Sequence, residues 1–237
     1  MKAFLSTCIL TSFVLILGQS AFAAPPTPVP ALVSHVYAPL GFDSNDNVQV
    51  VMEGHLPNAC TKNPDSEVFI NGNAIEVKAT ALSYDESNPF CPPMIVPFLE
   101  VINLGVLKEG TYKVTINRGS THEAKTDLIV KQAVSETVDD FLYANIEYIQ
   151  VIPGTGRVAL HGYQPSDCMA FDEVVYIDNG VDTFSILPKM KLISQYCPYK
   201  KTPFVAEWEV PQSLIRNKVL LHVRSLKGNS VNFLFER

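Results

Sequence analysis

The 237-residue sequence predicts an all-β chain: two tandem β-sandwich domains, each with one internal disulfide. Three observations predict it. Strand patterns recur along the chain while helix patterns are almost missing. The second half repeats the first at a near-constant offset. Once a targeting segment is set aside, four cysteines remain, two per half, in matching places.

The N-terminus reads as a secretory signal. Lys2 supplies the positive start, residues 4–17 are mostly apolar, and "AFA" at 21–23 offers small residues for cleavage. The apolar run is shorter than the roughly 20 residues that span a bilayer. The expected division is a signal peptide over 1–23, a proline-rich leader over 24–33, one sandwich over 34–132, a linker over 133–143 and a second sandwich over 144–237. Removing Lys2 takes the formal charge from −6 to −7. A mildly acidic chain lacks the basic face that phosphate binding needs, so no nucleic-acid partner is expected. No membrane anchor is expected after signal removal, and the chain is expected to be periplasmic or secreted.

The repeat is carried by turns and cysteines. "GHLPNAC" at 54–60 meets "GYQPSDC" at 162–168, "FCPP" at 90–93 meets "YCPY" at 196–199, and "VPF" at 96–98 meets "TPF" at 202–204. The offset stays between 106 and 108 residues. Four cysteines allow three pairings. The repeat favours the one that keeps each bridge within a half, Cys60–Cys91 and Cys168–Cys197. Each loop of about 30 residues then contributes roughly 3.5 kcal/mol by the chain-entropy estimate. Zinc is disfavoured, because the cysteines stand alone and His35, His55, His122, His161 and His222 show no ligand spacing.

Period-two alternation marks half-buried strands. Val48, Val50 and Met52 share one face. So do Val158 and Leu160; Tyr112, Val114 and Ile116; Phe204, Ala206, Trp208 and Val210; and Val231, Phe233 and Phe235. Asn71-Gly72 and Asn179-Gly180 are hairpin signals, and Gly154 to Gly156 marks another turn. About seven short strands per half suggest a sandwich of immunoglobulin type. "LKEGTY" at 107–112 has the form of a tyrosine corner closed by Tyr112, whereas the second half has "IRNKV" there. The connector, "AVSETVDDFLY" at 133–143, is short and holds the halves in a restricted orientation; it has room for a helical turn.

The spacing of Gly54, Leu56, Pro57, Cys60, Cys91, Pro97, Phe98, Gly110, Tyr112 and Asn117 resembles bacterial exported immunoglobulin-like repeats. The second half departs from that pattern, with Gln164 for the leucine and no Gly-x-Tyr. The resemblance implies a fold and a compartment and carries no established activity.

No catalytic or cofactor signature stands out. Asp43, Asn45 and Asn47 occupy the first positions of a calcium-loop pattern, but Val48 and Gly54 replace the glycine and glutamate it needs. A polar turn is the better reading. The histidines read as surface or rim residues. Glu100 has inward parity with Ile102 and Leu104; a rim position or a bulge explains it more simply than function. The stretches after Cys91 and Cys197 combine prolines and aromatics beside a disulfide. Pro92, Pro93, Met94, Tyr199, Lys200 and Lys201 are the candidate partner-binding residues, since rigid loops lose little entropy on binding; the competing reading is a covered loop that completes the core. The leading expectation is a non-enzymatic binding or structural module that presents rigid loops to a protein or glycan. An inhibitor of an extracellular hydrolase is the alternative, and an enzyme is least favoured.

Overall fold

The computed structural model describes residues 24–84, 88, 90–211 and 216–236. The expected signal peptide lies outside them. Among the described residues there are seventeen strands and one short 3-10 turn, Leu226–Gly228. The first half contains β1 (Thr27–Pro30), β2 (Leu32–Tyr37), β3 (Phe42–Asp43), β4 (Val48–Leu56), β5 (Thr61–Asn71), β6 (Ala74–Ser83), β7 (Val96–Gly105), β8 (Gly110–Ile116) and β9 (Ala124–Lys131). The second contains β10 (Leu142–Tyr143), β11 (Asn145–Ile152), β12 (Arg157–Gln164), β13 (Met169–Asp178), β14 (Thr183–Leu192), β15 (Thr202–Glu209), β16 (Lys218–Arg224) and β17 (Ser230–Glu236).

Each half is a sandwich of one large and one three-stranded sheet. The small sheets run β2-β4-β7 and β11-β12-β15. The large ones run β1-β6-β8-β9-β3 with β5 beside β6, and β10-β14-β16-β17 with β13 beside β14. The strand order differs from the antiparallel immunoglobulin arrangement. The penultimate strand of each half has a parallel neighbour, β6 for β8 and β14 for β16. Both disulfides stay within their own half, Cys60–Cys91 and Cys168–Cys197. Tyr112 closes its corner by donating its hydroxyl to the Lys108 carbonyl at 2.8 Å. In the second half the Arg216 amide donates to Val181 O at 3.2 Å, tying the equivalent turn to the β13–β14 loop instead.

The repeated glycine and the repeated Pro-Phe are two sides of one contact. Gly54 pairs with Phe98 across β4 and β7, and Gly162 pairs with Phe204 across β12 and β15. A Cβ on Gly54 would lie 2.5 Å from both Leu32 O and the Phe98 ring; on Gly162 it would lie 2.1 Å from Asn145 O and 3.0 Å from the Phe204 ring. A bulge in the preceding strand sits opposite each glycine. The ring covers the backbone that glycine leaves bare, and a side chain on the glycine would meet both that ring and a carbonyl.

Two boundaries and one turn shift from expectation. The 24–33 stretch is part of the sandwich rather than a leader: β1 pairs with β6, and Ala31 and Val33 lie in the core. Its prolines are tolerated because β1 ends its sheet, where a missing N–H is harmless. The connector forms bends without a helical turn, and its last residues, β10, already belong to the second large sheet. The Asn71-Gly72 hairpin is tight, with Asn71 opposite Ala74. Asn179-Gly180 opens a wider loop, because the Asn179 carboxamide accepts the amides of Val181, Asp182 and Thr183 at 2.9 to 3.0 Å.

The two halves pack sheet on sheet. The outer face of β2-β4-β7 lies on the outer face of β14-β16-β17, with Tyr37, Val51, Leu99 and Val101 meeting Leu220 and Leu234. Strands β4 and β16 are therefore buried on both faces: Val50, Val51 and Met52, and Val219 through Val223, are fully covered.

We predict that Gly54→Ala and Gly162→Ala each lose about 2–3 kcal/mol in denaturant unfolding, because the added methyl meets a carbonyl that cannot retreat. Gly72→Ala, at φ +56° with nothing near its Cβ, should cost only about 1 kcal/mol.

Candidate functional site

Two loops follow the disulfides. The first, with Asn88 and 90–95 described, is held by Cys60–Cys91, by Ala59 N–H donating to Pro92 O at 3.3 Å and by Met94 N–H donating to the same oxygen at 2.8 Å. The second, residues 193–201, is held by Cys168–Cys197, by Ile193 N–H to Cys168 O at 2.7 Å and by Lys200 N–H to Pro165 O at 3.0 Å. Both loops are exposed, which overturns the covered-loop reading. Phe90 is 87% exposed, Tyr196 79% and Tyr199 76%. Pro92, Pro93, Met94 and Ile95 are exposed, as is every residue from Lys191 to Lys201. Apolar side chains thus stand in water on a backbone tied at several points.

The lysines of the second loop are partly committed. Lys200 Nζ lies 2.7 Å from Asp167, whose carboxyl it holds below the ordinary carboxylate range. Lys201 Nζ sits 4.3 Å over the Tyr163 ring. Glu100 is half-buried on the core side of β7; burial, and then the charge of Asp65, raise its pKa. It pairs with Met52 in the middle of both strands, and the register shift of this ladder lies away from it at Val48/Gln49, so neither the rim nor the bulge explains it.

The loops lie at opposite ends of the molecule. Across the seam, β4 runs against β16. Asp46, just before β4, binds Arg224 at the end of β16, and Glu53, near the end of β4, binds Lys218 at the start of β16. The first disulfide lies beyond the end of β4. In the second half β16 runs parallel to β14, whose last residue, Leu192, pairs with Met169 beside Cys168. The second disulfide therefore sits at the Arg224 end. The two loops cannot form one surface.

The seam holds the groups that sequence reading missed. Arg224 is buried and reaches Asp46 at 2.8 and 3.0 Å, Asp139 at 3.0 Å and Gly41 O at 3.3 Å. Asp139 belongs to the connector, and burial raises its pKa although Arg224 pulls it down. The neighbouring Asp140 accepts from Val134 N, Ser135 N, Ser135 Oγ and Asn45 Nδ2. The calcium-like stretch 43–47 is thus a polar turn that pins the connector and Arg224. At the other end His35 Nε2 meets Asp182 at 2.7 Å, and Lys218 bridges to Glu53 at 2.5 Å. Burial opposes ionisation of Glu53, but its bonds from Lys218 and Tyr37 win and lower its pKa.

His222 is a correction. It is fully buried, not at a rim. Its Nδ1 bonds Asn232 Oδ1 at 2.8 Å, Phe42 packs edge-on against its ring, and among the described residues its Nε2 finds no hydrogen-bond partner. Burial lowers its pKa to about 4; Arg224 adds to this and Asn232 opposes it. The available signal was the unbroken apolar run "VLLHV", since strands covered on both faces do not alternate.

Residues 50–126, from β4 into β9, match the family model described as the ORF11 beta-sandwich domain. No curated protein and no solved structure matches the chain. The sandwich and the two disulfides suit an oxidising compartment. Among the described residues no helix is long and apolar enough to cross a membrane.

Two predictions follow from the seam. Arg224→Ala, which strands Asp46 in the interior, should cost about 3–5 kcal/mol in denaturant unfolding. His222 favours its neutral form in the fold, so its contribution is complete above the unfolded value of 6.5 and fades as pH falls towards 4. Wild-type stability should lose up to about 3 kcal/mol from this group over that window, and His222→Gln should flatten that part of the profile.

Proposed function

We propose that the protein is an exported, non-enzymatic binding module, periplasmic or secreted. It presents two disulfide-braced loops to a protein or glycan partner, one at each end of the molecule. The observation that carries this reading is the exposure of Phe90, Met94 and Ile95, and of Ile193, Tyr196 and Tyr199, on loops whose backbones are hydrogen-bonded and covalently held. Aromatic side chains on a fixed backbone give up little freedom on contact, and a soluble fold has no packing use for them there. Their placement at opposite ends suits a module that makes two separate contacts.

The test is retention of a defined partner. The oxidised protein is immobilised and probed with envelope extracts and with a glycan array. The bound species is then re-measured as a purified component. The expected result is saturable binding that falls at least tenfold when Tyr199, Lys200 and Lys201 are replaced together by alanine, or when Pro92, Pro93 and Met94 are. Unchanged binding in both variants, with the fold intact, would remove the loops from the account.

A further inference from the structure

Strand β15 ends the sheet β11-β12-β15. Its ladder to β12 is unbroken from Thr202 opposite Gln164 to Glu209 opposite Arg157. Of the other edge strands, β5, β7, β11 and β13 carry bulges of the kind that discourage pairing, and β17 lies against β11. In the first half, β7 is the counterpart of β15, and β5 lies beside it.

The direction of its free backbone groups can be read from one bond. Val210 N–H donates to Gly156 O at 3.0 Å, in the register of the ladder. Antiparallel partners alternate between bonded and non-bonded pairs. Even-numbered residues of β15 therefore bond to β12, and Pro203, Val205, Glu207 and Glu209 turn their backbone groups to the open edge. Pro203, which has no N–H, falls in that outward row, where proline is tolerated and where it leaves the edge one donor short for any added strand. The even side chains Phe204 and Trp208 pack against the core, and the odd ones are exposed, Val205 at 60%.

We propose that this edge pairs with the same edge of a second copy of the chain, antiparallel, about a two-fold axis at Val205. Such an isologous contact joins the two small sheets into one of six strands. Keeping core side chains on the core face restricts the register to odd-with-odd pairing. Centring on Glu207 sets two carboxylates against each other, and centring on Ala206 leaves the charges unmatched. Centring on Val205 sets the two valines together, Phe204 against Ala206, Pro203 against Glu207 with one backbone bond missing in each such pair, and Glu209 against Lys201, the residue just before β15, of the second copy at both ends. Among the described residues neither Lys201 nor Glu209 makes an ion pair, so Glu209 is available for this one and Lys201 becomes so on leaving its place over the Tyr163 ring.

Sedimentation velocity on the oxidised protein over a range of concentrations tests this without any other partner. The expected result is a concentration-dependent dimer. Lys201→Glu or Glu209→Lys reverses two symmetry-related pairs at exposed positions. Each should weaken the dimer about tenfold; Glu209→Lys should leave thermal unfolding of the monomer unchanged, while Lys201→Glu also gives up the contact over Tyr163. The double variant exchanges the charges and should restore dimerisation to within about threefold, a rescue that only direct apposition explains. A monomer at every concentration overturns the proposal. So does a dimer indifferent to the single changes, or a double variant no better than either single.

Discussion

Arg224 is the constraint on which the arrangement of the halves depends. Its guanidinium is almost wholly removed from water, and its charge is tolerable only because Asp46 and Asp139 close around it. Those carboxylates come from two different places: the turn before β4 in the first sandwich, and the connector. One buried cation therefore fixes three segments at once. The apolar contact of Val51 and Tyr37 with Leu220 supplies the area, but apolar area alone would permit sliding. The polar bonds at either end, Arg224 with Asp46 and Lys218 with Glu53, set the antiparallel alignment and so decide where the two loops point.

Much of the individual sandwich was legible in the chain. The glycine, the Pro-Phe and the two cysteines of each half recur because they are parts of one local construction. The ring of Phe98 or Phe204 covers a glycine that a carbonyl has already crowded, and the disulfide ties the strand end just beyond. Tyr112 was legible because its role is local, reaching back only to Lys108. The relation between halves was not legible. It rests on pairs more than a hundred residues apart, such as Asp46 with Arg224 and His35 with Asp182. The hints were runs such as "VVM" and "VLLHV", where alternation fails because both faces are covered. The leader was misread for a related reason: prolines argue against a strand only when both its edges are used.

The candidate loops lie beside their disulfides, and their residues reach solvent. Sequence could not say that they would be separated by the length of the molecule, because that follows from the seam. The duplication also did not produce two equivalent outer faces. Leu220 and Leu234 face the seam in the second half, while the corresponding positions in the first carry Lys113 and Asp127, which pair with each other in water. The same sheet is a docking surface in one copy and a solvated face in the other. This difference keeps the seam from being repeated on the outer face of the first half's large sheet.

Native-state hydrogen exchange tests the central claim, that the halves form one body through β4 and β16, most directly. If the seam is as described, the amides of Val50 to Met52 and of Leu220 to Val223 should be the slowest in the chain. They should also exchange with one common opening free energy, although they belong to different sandwiches. Two separate levels of protection, one per half, or rapid exchange in either strand, would contradict it.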